Sequence, residues 1–373
     1  MVNNRLAEIA QLFLKLGLTA FGGPAAHIAM MHNEVVNKKK WLTEQHFLDL
    51  VGATNLIPGP NSTELAIHLG RERAGWRGLI VAGCCFIIPA VTITGILAWL
   101  YKSYGHLPDL QPFIYGIKPA IIAIILAAVF PLAKRSLTSL FMVAIGMATL
   151  ALSLAGFNEI LLMFGAGFVG LMWVTLRKNF SGISAKFSLL LATQAVMIPG
   201  QGNWKLFLVF LKIGSILYGS GYVLFAFLDA ELVQHGIITR RELIDAIAVG
   251  QFTPGPVFSS VTFIGYQING LSGAIVATVG IFLPAFVFVA LLNPLVKKIR
   301  GSETFSAFLD AVNVSSVAII LAVCYTMAVE TISDWRTISI AITSLIVLFG
   351  FRTINSAWIV FGGSLAGYLL TFF

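Results

Sequence analysis

Long apolar runs alternate with short basic stretches along this chain, and the whole order of runs occurs twice. The first half predicts one long helix over about 6–31, interrupted at Phe21-Gly22-Gly23-Pro24. The second half repeats it over about 204–232, interrupted at Tyr218-Gly219-Ser220-Gly221. Proline and repeated glycine weaken a helix, so both runs predict a break or kink there. Amphipathic stretches follow at 43–57 and 239–253, with Thr43 and Thr239 as N-caps. Pro58-Gly59-Pro60 and Pro254-Gly255-Pro256 end them, and short helices are predicted over 61–69 and 257–268. A helix needs about 20 apolar residues to cross the hydrocarbon, so neither short helix spans alone. Each pair reads as a re-entrant hairpin, which a membrane tolerates only where it is buried in protein or lines a cavity. A pair lying flat on the surface is the alternative. Three or four further spans complete each half, over about 78–101, 113–133, 137–155 and 159–176, then 273–296, 308–327, 337–351 and 356–373.

The register of the repeat is nearly constant. Phe13-Leu14-Lys15-Leu16-Gly17 returns as Phe210-Leu211-Lys212-Ile213-Gly214, offset by 197. The two Pro-Gly-Pro motifs are offset by 196, and Ala123-Ile124-Ile125-Leu126-Ala127 returns as Ala318-Ile319-Ile320-Leu321-Ala322, offset by 195. The expected organisation is a first repeat at 1–178, a linker at 179–203 with an interfacial stretch at 187–198, and a second repeat at 204–373. The pattern predicts an all-α polytopic membrane protein of about ten transmembrane helices and two re-entrant hairpins.

Composition agrees with that class. Hydrophobic residues make up 58% of the 373 residues and charged residues 11%, against roughly 25% charged in soluble domains. The net charge of +8 does not suggest nucleic acid, because the bases sit in short clusters between apolar runs. Five spans per half is an odd number, so the second repeat should be inverted. With Lys38–Lys40 placed in the cytoplasm, Arg71, Arg73, Arg77, Lys134/Arg135, Arg177/Lys178, Lys297/Lys298 and Arg352 also fall inside, and both termini lie on the extracytoplasmic side of the cell (inner) membrane. Arg240 and Arg241 come out on the other face and weaken the count. Cys84, Cys85 and Cys324 lie in apolar runs without ligand spacing, so no metal site or disulfide is expected. The first run reads as a retained span, not as a cleaved signal.

Several polar residues interrupt this apolar background. Lys15 and Lys212 precede the glycine breaks. A lysine inside a span costs about 2.5–3.5 kcal/mol, so the pair either faces a cleft and attracts an anion or snorkels to the interface. Helix starts after Pro-Gly-Pro, at Asn61, Ser62, Thr63 and at Ser259, Ser260, carry unpaired N–H groups and part of a positive charge. They form an anion site if aimed at a common point, and caps only if not. Gly22, Gly23, Ser220 and Gly221 either admit a substrate to exposed backbone or let helices pack closely. Pro24, Pro58, Gly59, Pro60, Pro254, Gly255 and Pro256 are the expected structural and gating positions. Glu34 and Glu231 are matched and favour pairing with loop bases, while Asn55 and Gln251 are matched amides. His27, Glu64 and Lys118 have no like partner in the second copy and are candidates for coupling. No P-loop, GxSxG or His-Glu-x-x-His motif is present, so neither an enzyme nor an ATP-driven pump is expected.

Phe21-Gly22-Gly23-Pro24-Ala25-Ala26-His27 followed by Pro58-Gly59-Pro60 resembles the chromate ion transporter family, and Tyr218-Gly219-Ser220-Gly221 with Pro254-Gly255-Pro256 resembles its C-terminal domain. The resemblance covers nearly the whole chain and the long, two-domain form. It implies export of chromate across the cell membrane, conferring resistance, with sulfate a chemically close relative. The second copy has Gly221 and Leu224 where Pro24 and His27 stand in the first. The expectation is a secondary transporter of a tetrahedral oxyanion, without cofactor, with the bilayer as partner and a homodimer as one compatible assembly. A sulfate transporter, an uncoupled anion channel and a membrane enzyme or scaffold are the alternatives.

Overall fold

The computed structural model describes residues 2–105, 107, 111–177, 202–218, 221–299, 303–351 and 354–371. Most of the linker, Gly219 and Ser220 lie outside them. The described residues are helical, without strands. The first half gives α1 (Val2–Thr19), α2 (Gly23–His32), α3 (Glu44–Thr54), α4 (Asn61–Tyr104), α5 (Gln111–Ser136), α6 (Leu140–Leu154) and α7 (Glu159–Arg177). The second gives α8 (Asn203–Ile216), α9 (Val223–Leu228), α10 (Arg240–Phe252), α11 (Ser260–Ile299), α12 (Glu303–Thr331), α13 (Trp335–Gly350) and α14 (Ser356–Leu370). Each of the seven elements thus has a counterpart. π-helical turns extend α2 over Asn33–Lys38 and α9 over Asp229–Val233.

Local chemistry explains the boundaries. Gly22 and Gly23 have φ of 102° and 78°, a left-handed backbone that stops α1, and Pro24 then starts α2 with its preset φ. Thr43 accepts a hydrogen bond from the His46 amide at 3.3 Å, and Thr239 forms a full capping box with Glu242. The predicted end of the first short helix at residue 69 is corrected to 73. Arg71, Glu72 and Arg73 continue the helix, and the reversal comes at Ala74–Gly75.

That reversal makes α4 and α11 hairpins. Gly75 and Gly270 adopt φ, ψ of 62°, −146° and 61°, −149°. A Cβ on Gly70 would lie 2.3 Å from the Gly78 carbonyl oxygen, and one on Gly265 would lie 2.4 Å from that of Gly273. Residues eight apart in a straight helix are about 12 Å apart, so the chain folds back on itself. Short arms at 61–73 and 260–268 therefore lie against long arms at 76–104 and 271–299. Gly70→Ala and Gly265→Ala are expected to destabilise the fold by more than the ~1–3 kcal/mol of ordinary overpacking, because the obstacle is backbone. Loss of monodisperse protein after detergent extraction measures this. Gly362→Ala, with nothing within 4 Å, should be neutral.

Helix pairs form two interlocked bundles. α1 packs on α4, α8 on α11, and α4 on α11. α5 packs on α12, α13 and α14, and α12 packs on α6 and α7. We call these the core and scaffold bundles. Both contain elements of both halves, and each pairing recurs in its repeat-equivalent form. One set does not. α10 packs on α5 and α14 of the scaffold, whereas α3 makes no comparable contact with α12 or α7.

Five described helices are long and apolar enough to cross a membrane, with α6, α13 and α14 shorter and apolar. Their outer faces are apolar too: Ile80, Ile88 and Ile96 on α4 match an outward stripe of Ile275, Leu283 and Leu291 on α11, all exposed. Water would not tolerate so much contiguous apolar surface, and lipid does.

Candidate functional site

The two sequence motifs meet at the centre by exchange between halves. The Gly59 N–H donates to the Leu217 carbonyl at 2.8 Å, and the Gly255 N–H donates to the Ala20 carbonyl at 2.8 Å. Each Pro-Gly-Pro turn is thus bonded to the glycine break of the other repeat. Gly59 and Gly255 have φ of 138° and 89°, which only glycine adopts freely. His27 is buried and closes the same junction, with Nε2 3.1 Å from the Ala20 carbonyl and Nδ1 3.3 Å from Ser62 Oγ. Gly23 approaches the Tyr222 hydroxyl, and Gly221 packs against Phe258 and Pro24.

Around this junction the two halves differ. On one face a cavity of about 250 Å³ is lined by Asn55, Ile57 and Asn61, by Leu132, Arg135 and Ser136, and by Val223, Asn313, Ser316, Val317 and Ile320. One water needs only ~10–15 Å³ of such volume, so the space admits a small ion with water. It lies between core and scaffold and reaches the surface at the exposed Asn55 and Arg135. Its polar lining is one guanidinium, three amides and two hydroxyls, with no carboxylate among the lining residues. Asn61 Nδ2 donates to Asn55 Oδ1 at 2.7 Å, which orients both amides. Ser316 Oγ donates to the Tyr218 carbonyl at 3.4 Å and ties α12 to the second break.

On the other face the equivalent space is filled. The second helix start is buried: Thr94 Oγ1 donates to Ser259 Oγ at 3.2 Å, Ser260 is buried without a partner, and Gln251 is 4% exposed. Lys118 Nζ lies 3.4 Å from Asp245 Oδ1, and the Tyr101 hydroxyl donates to Asp245 Oδ2 at 2.6 Å. Arg240 pairs with Asp229 at 2.9 Å and with Glu330. The Lys118–Asp245 and Arg240–Glu330 contacts both join core to scaffold. Nearby, the Thr337 backbone N–H and the Tyr115 hydroxyl donate to Asp334 at the α12–α13 turn, and hold its carboxyl below the usual carboxylate range.

The structure thus gathers Asn55 and Asn61 into the cavity and places Ser62, Thr63, Glu64, Ser259 and Ser260 in the packed junction behind it. Lys15 and Lys212 lie outside the cavity. Lys15 pairs with Glu34 at 3.1 Å and Lys212 with Glu231 at 2.7 Å, so each cation is matched by an acid at the same register. Glu34 also pairs with Lys38 at 2.9 Å, as expected for a loop base. The cavity's cation is Arg135, which the sequence offered only as one of the loop bases. The Lys15 side chain is 61% exposed, and exposed pairs contribute roughly 0–1 kcal/mol. Lys15→Gln with Lys212→Gln is therefore expected to change anion flux into vesicles less than about fivefold, a small effect beside that at Arg135.

The sequence profile described as Chromate transporter matches residues 7–171 and 204–368, one match per repeat. The chain belongs to the chromate transporter family. It is 30% identical over 372 residues to a chromate transport protein of Cupriavidus metallidurans, covering 97% of this chain and 92% of that one. It is 29% identical to a probable chromate transport protein of Synechococcus elongatus, covering 91% and 89%. A chromate transport protein of Pseudomonas aeruginosa is 28% identical, covering 96% and 91%. No solved structure matches. Family membership and the apolar outer faces make the chain a multi-pass membrane protein, and the family points to a transporter rather than an enzyme.

Arg135, Ser136, Asn313 and Ser316 are the polar cavity residues that sequence reasoning missed. A signal existed for one of them. Asn313 stands at the position of Lys118 in the other repeat, so both ends of that asymmetry are at the core–scaffold boundary.

Proposed function

We propose that this protein carries a tetrahedral divalent oxyanion, chromate first and sulfate second, out of the cytoplasm by alternating access. The observation that carries the reading is the one-sided cavity: a single guanidinium with amides and hydroxyls on the open face, and inter-bundle ion pairs on the opposite face. Arg135 supplies charge and paired donors to the anion, and Asn55, Asn61, Asn313 and Ser316 supply neutral donors. The aliphatic wall of Ile57, Leu132, Val317 and Ile320 keeps the local dielectric low. Gly22, Gly23 and Gly221 act as hinge positions, and the Pro-Gly-Pro turns hold the two breaks in register. Ser220 belongs to the same proposal by its place in the motif.

In this reading the chain crosses the inner membrane ten times, with hairpins at the matched positions and both termini outside. The repeats at 1–178 and 204–373, joined by 179–203, are the units of duplication. They are not the units of motion, because α5 packs on α14 and α7 on α12 across the halves. Core moving against scaffold keeps those contacts. The loop charges Lys134 and Arg135 support a cytoplasmic cavity mouth, which suits export.

Glu64 is the proposed coupling residue. It is fully buried, neither carboxyl oxygen has a partner, and it packs on Gly59, where a Cβ would lie 2.2 Å from its Oε1. His68, one turn on and also buried, Tyr218, and His27 across Ser62 are the titratable groups around it. Ser260 replaces Glu64 in the other repeat, so the two faces differ at this depth. Glu64→Gln is expected to keep anion exchange and lose its dependence on a pH gradient.

Flux into proteoliposomes, with chromate, sulfate and other oxyanions in competition, tests the function. Saturable chromate flux that sulfate inhibits is the expected result. Flux that follows voltage but no second ion gradient would replace the reading with an uncoupled pathway. A folded, reconstituted protein that moves neither anion would overturn it.

A further inference from the structure

The closed face holds a contact whose repeat-equivalent is open. Arg240 starts α10 in the core, and Glu330 lies near the end of α12 in the scaffold. They form an ion pair between the bundles. The α3–α10 region is offset by 196, which maps Arg240 onto Glu44, and the α5–α12 region is offset by 195, which maps Glu330 onto Arg135. The charges are exchanged, so the two pairs have the same attraction with opposite sense. Glu44 starts α3 and Arg135 ends α5, again one residue on each bundle. Both are exposed, and neither makes an ion pair among the described residues. The cavity lies beside Arg135, and α3 lacks the scaffold contact that its counterpart α10 makes.

We infer that Glu44 and Arg135 form the cytoplasmic gate, a charge-exchanged counterpart of Arg240–Glu330 that closes when the core shifts against the scaffold. The inference rests on the alternating-access reading above. The repeat alignment and the exchanged signs are independent support. If the anion occupies the cavity, Arg135 holds it with the gate open, and Glu44 takes its place after the opposite face has opened. One arginine then serves in turn as anion partner and as half of the gate.

The experiment reads the outward-open population directly. Cys84, Cys85 and Cys324 are replaced by alanine, and Val257→Cys is introduced. Val257 is the buried counterpart of Asn61 and becomes reachable from outside only when that face opens. Right-side-out vesicles are treated with a membrane-impermeant maleimide and the labelling rate is measured. Glu330→Gln weakens the closed outer gate and is expected to raise the rate about two- to fivefold, the range for a partly exposed pair. Glu44→Gln weakens the inner gate and is expected to lower it by a similar factor, and Arg135→Gln should act in the same direction. Glu44→Gln combined with Glu330→Gln should return the rate towards that of the parent. A rate that Glu44→Gln leaves unchanged or raises, while Glu330→Gln raises it, overturns the gate and leaves transport intact. Absence of labelling in every variant, Glu330→Gln included, overturns the alternation beneath it, and the gate with it. Size-exclusion profiles matching the parent show that each variant is folded.

Discussion

Arg135→Gln is expected to reduce chromate flux by roughly 10- to 150-fold at subsaturating substrate, the loss of one charge-assisted hydrogen-bonding partner. The reason lies in the cavity's chemistry. Arg135 is the one charged side chain among the lining residues, and Asn55, Asn61, Ser136, Asn313 and Ser316 provide only neutral groups. A divalent anion leaving water for a partly apolar space gives up strong hydration, and amides alone replace it poorly. Arg135→Lys keeps the charge and loses the planar fork, so a smaller loss is expected. Arg135 makes no ion pair among the described residues, so its removal should leave thermal stability unchanged. Flux measured against substrate concentration, beside a melting curve, separates binding from folding. Parent-like flux in Arg135→Gln would remove the cavity from the transport path.

Lys118→Met is expected to be the most damaging single change to the closed face. Lys118 and Asp245 are 13% and 5% exposed in their side chains, so the pair is buried between α5 and α10. Removing one member of a buried pair leaves the other without compensation, at about 3–5 kcal/mol. Tyr101 still donates to Asp245 and offsets only part of that. The melting temperature of the purified protein should fall by several degrees. Replacing both members, Lys118→Met with Asp245→Leu, should recover most of the stability, because apolar residues of similar volume can replace a buried pair at little cost. It should not recover transport, since the outer face would then close by apolar packing without the charge pair. A double variant no more stable than the single one would show that Lys118 acts through something other than Asp245.

Much of the architecture was legible in the chain. The glycine breaks, the Pro-Gly-Pro turns and the two threonine caps are local decisions. Gly22 and Gly23 take a left-handed backbone, Thr43 and Thr239 hold helix starts, and no distant residue is needed to say so. The repeat register needs only the sequence. The hairpin reversal was placed four residues too early, at 69 instead of 73, because Arg71, Glu72 and Arg73 look like a loop. The long arm packs against that helix through Gly70 and Gly78, a contact eight residues apart that helical periodicity does not reveal.

The site was legible only in part. Asn55 and Asn61 were found because they flank Pro-Gly-Pro. Lys15 and Lys212 were attractive because a lysine in an apolar run is costly, but a sequence does not show that Glu34 and Glu231, each 19 residues on, satisfy them. Arg135 looked like one of many loop bases, and nothing local marks it as facing a cavity.

By itself the sequence determined an all-helical membrane protein built from two matched copies, because apolar run length, glycine and proline act over a few residues. It also determined which positions differ between copies. Only the tertiary structure decided how the copies interlock: Gly59 to Leu217, Gly255 to Ala20, and a core and scaffold each drawn from both halves. It alone decided which face is open. Two copies that share the same motifs in the same order do not show by pattern alone which face is closed, since each carries residues able to close it. The choice depends on contacts between distant elements, Lys118 with Asp245 and Arg240 with Glu330 on one side, and the separated Glu44 and Arg135 on the other.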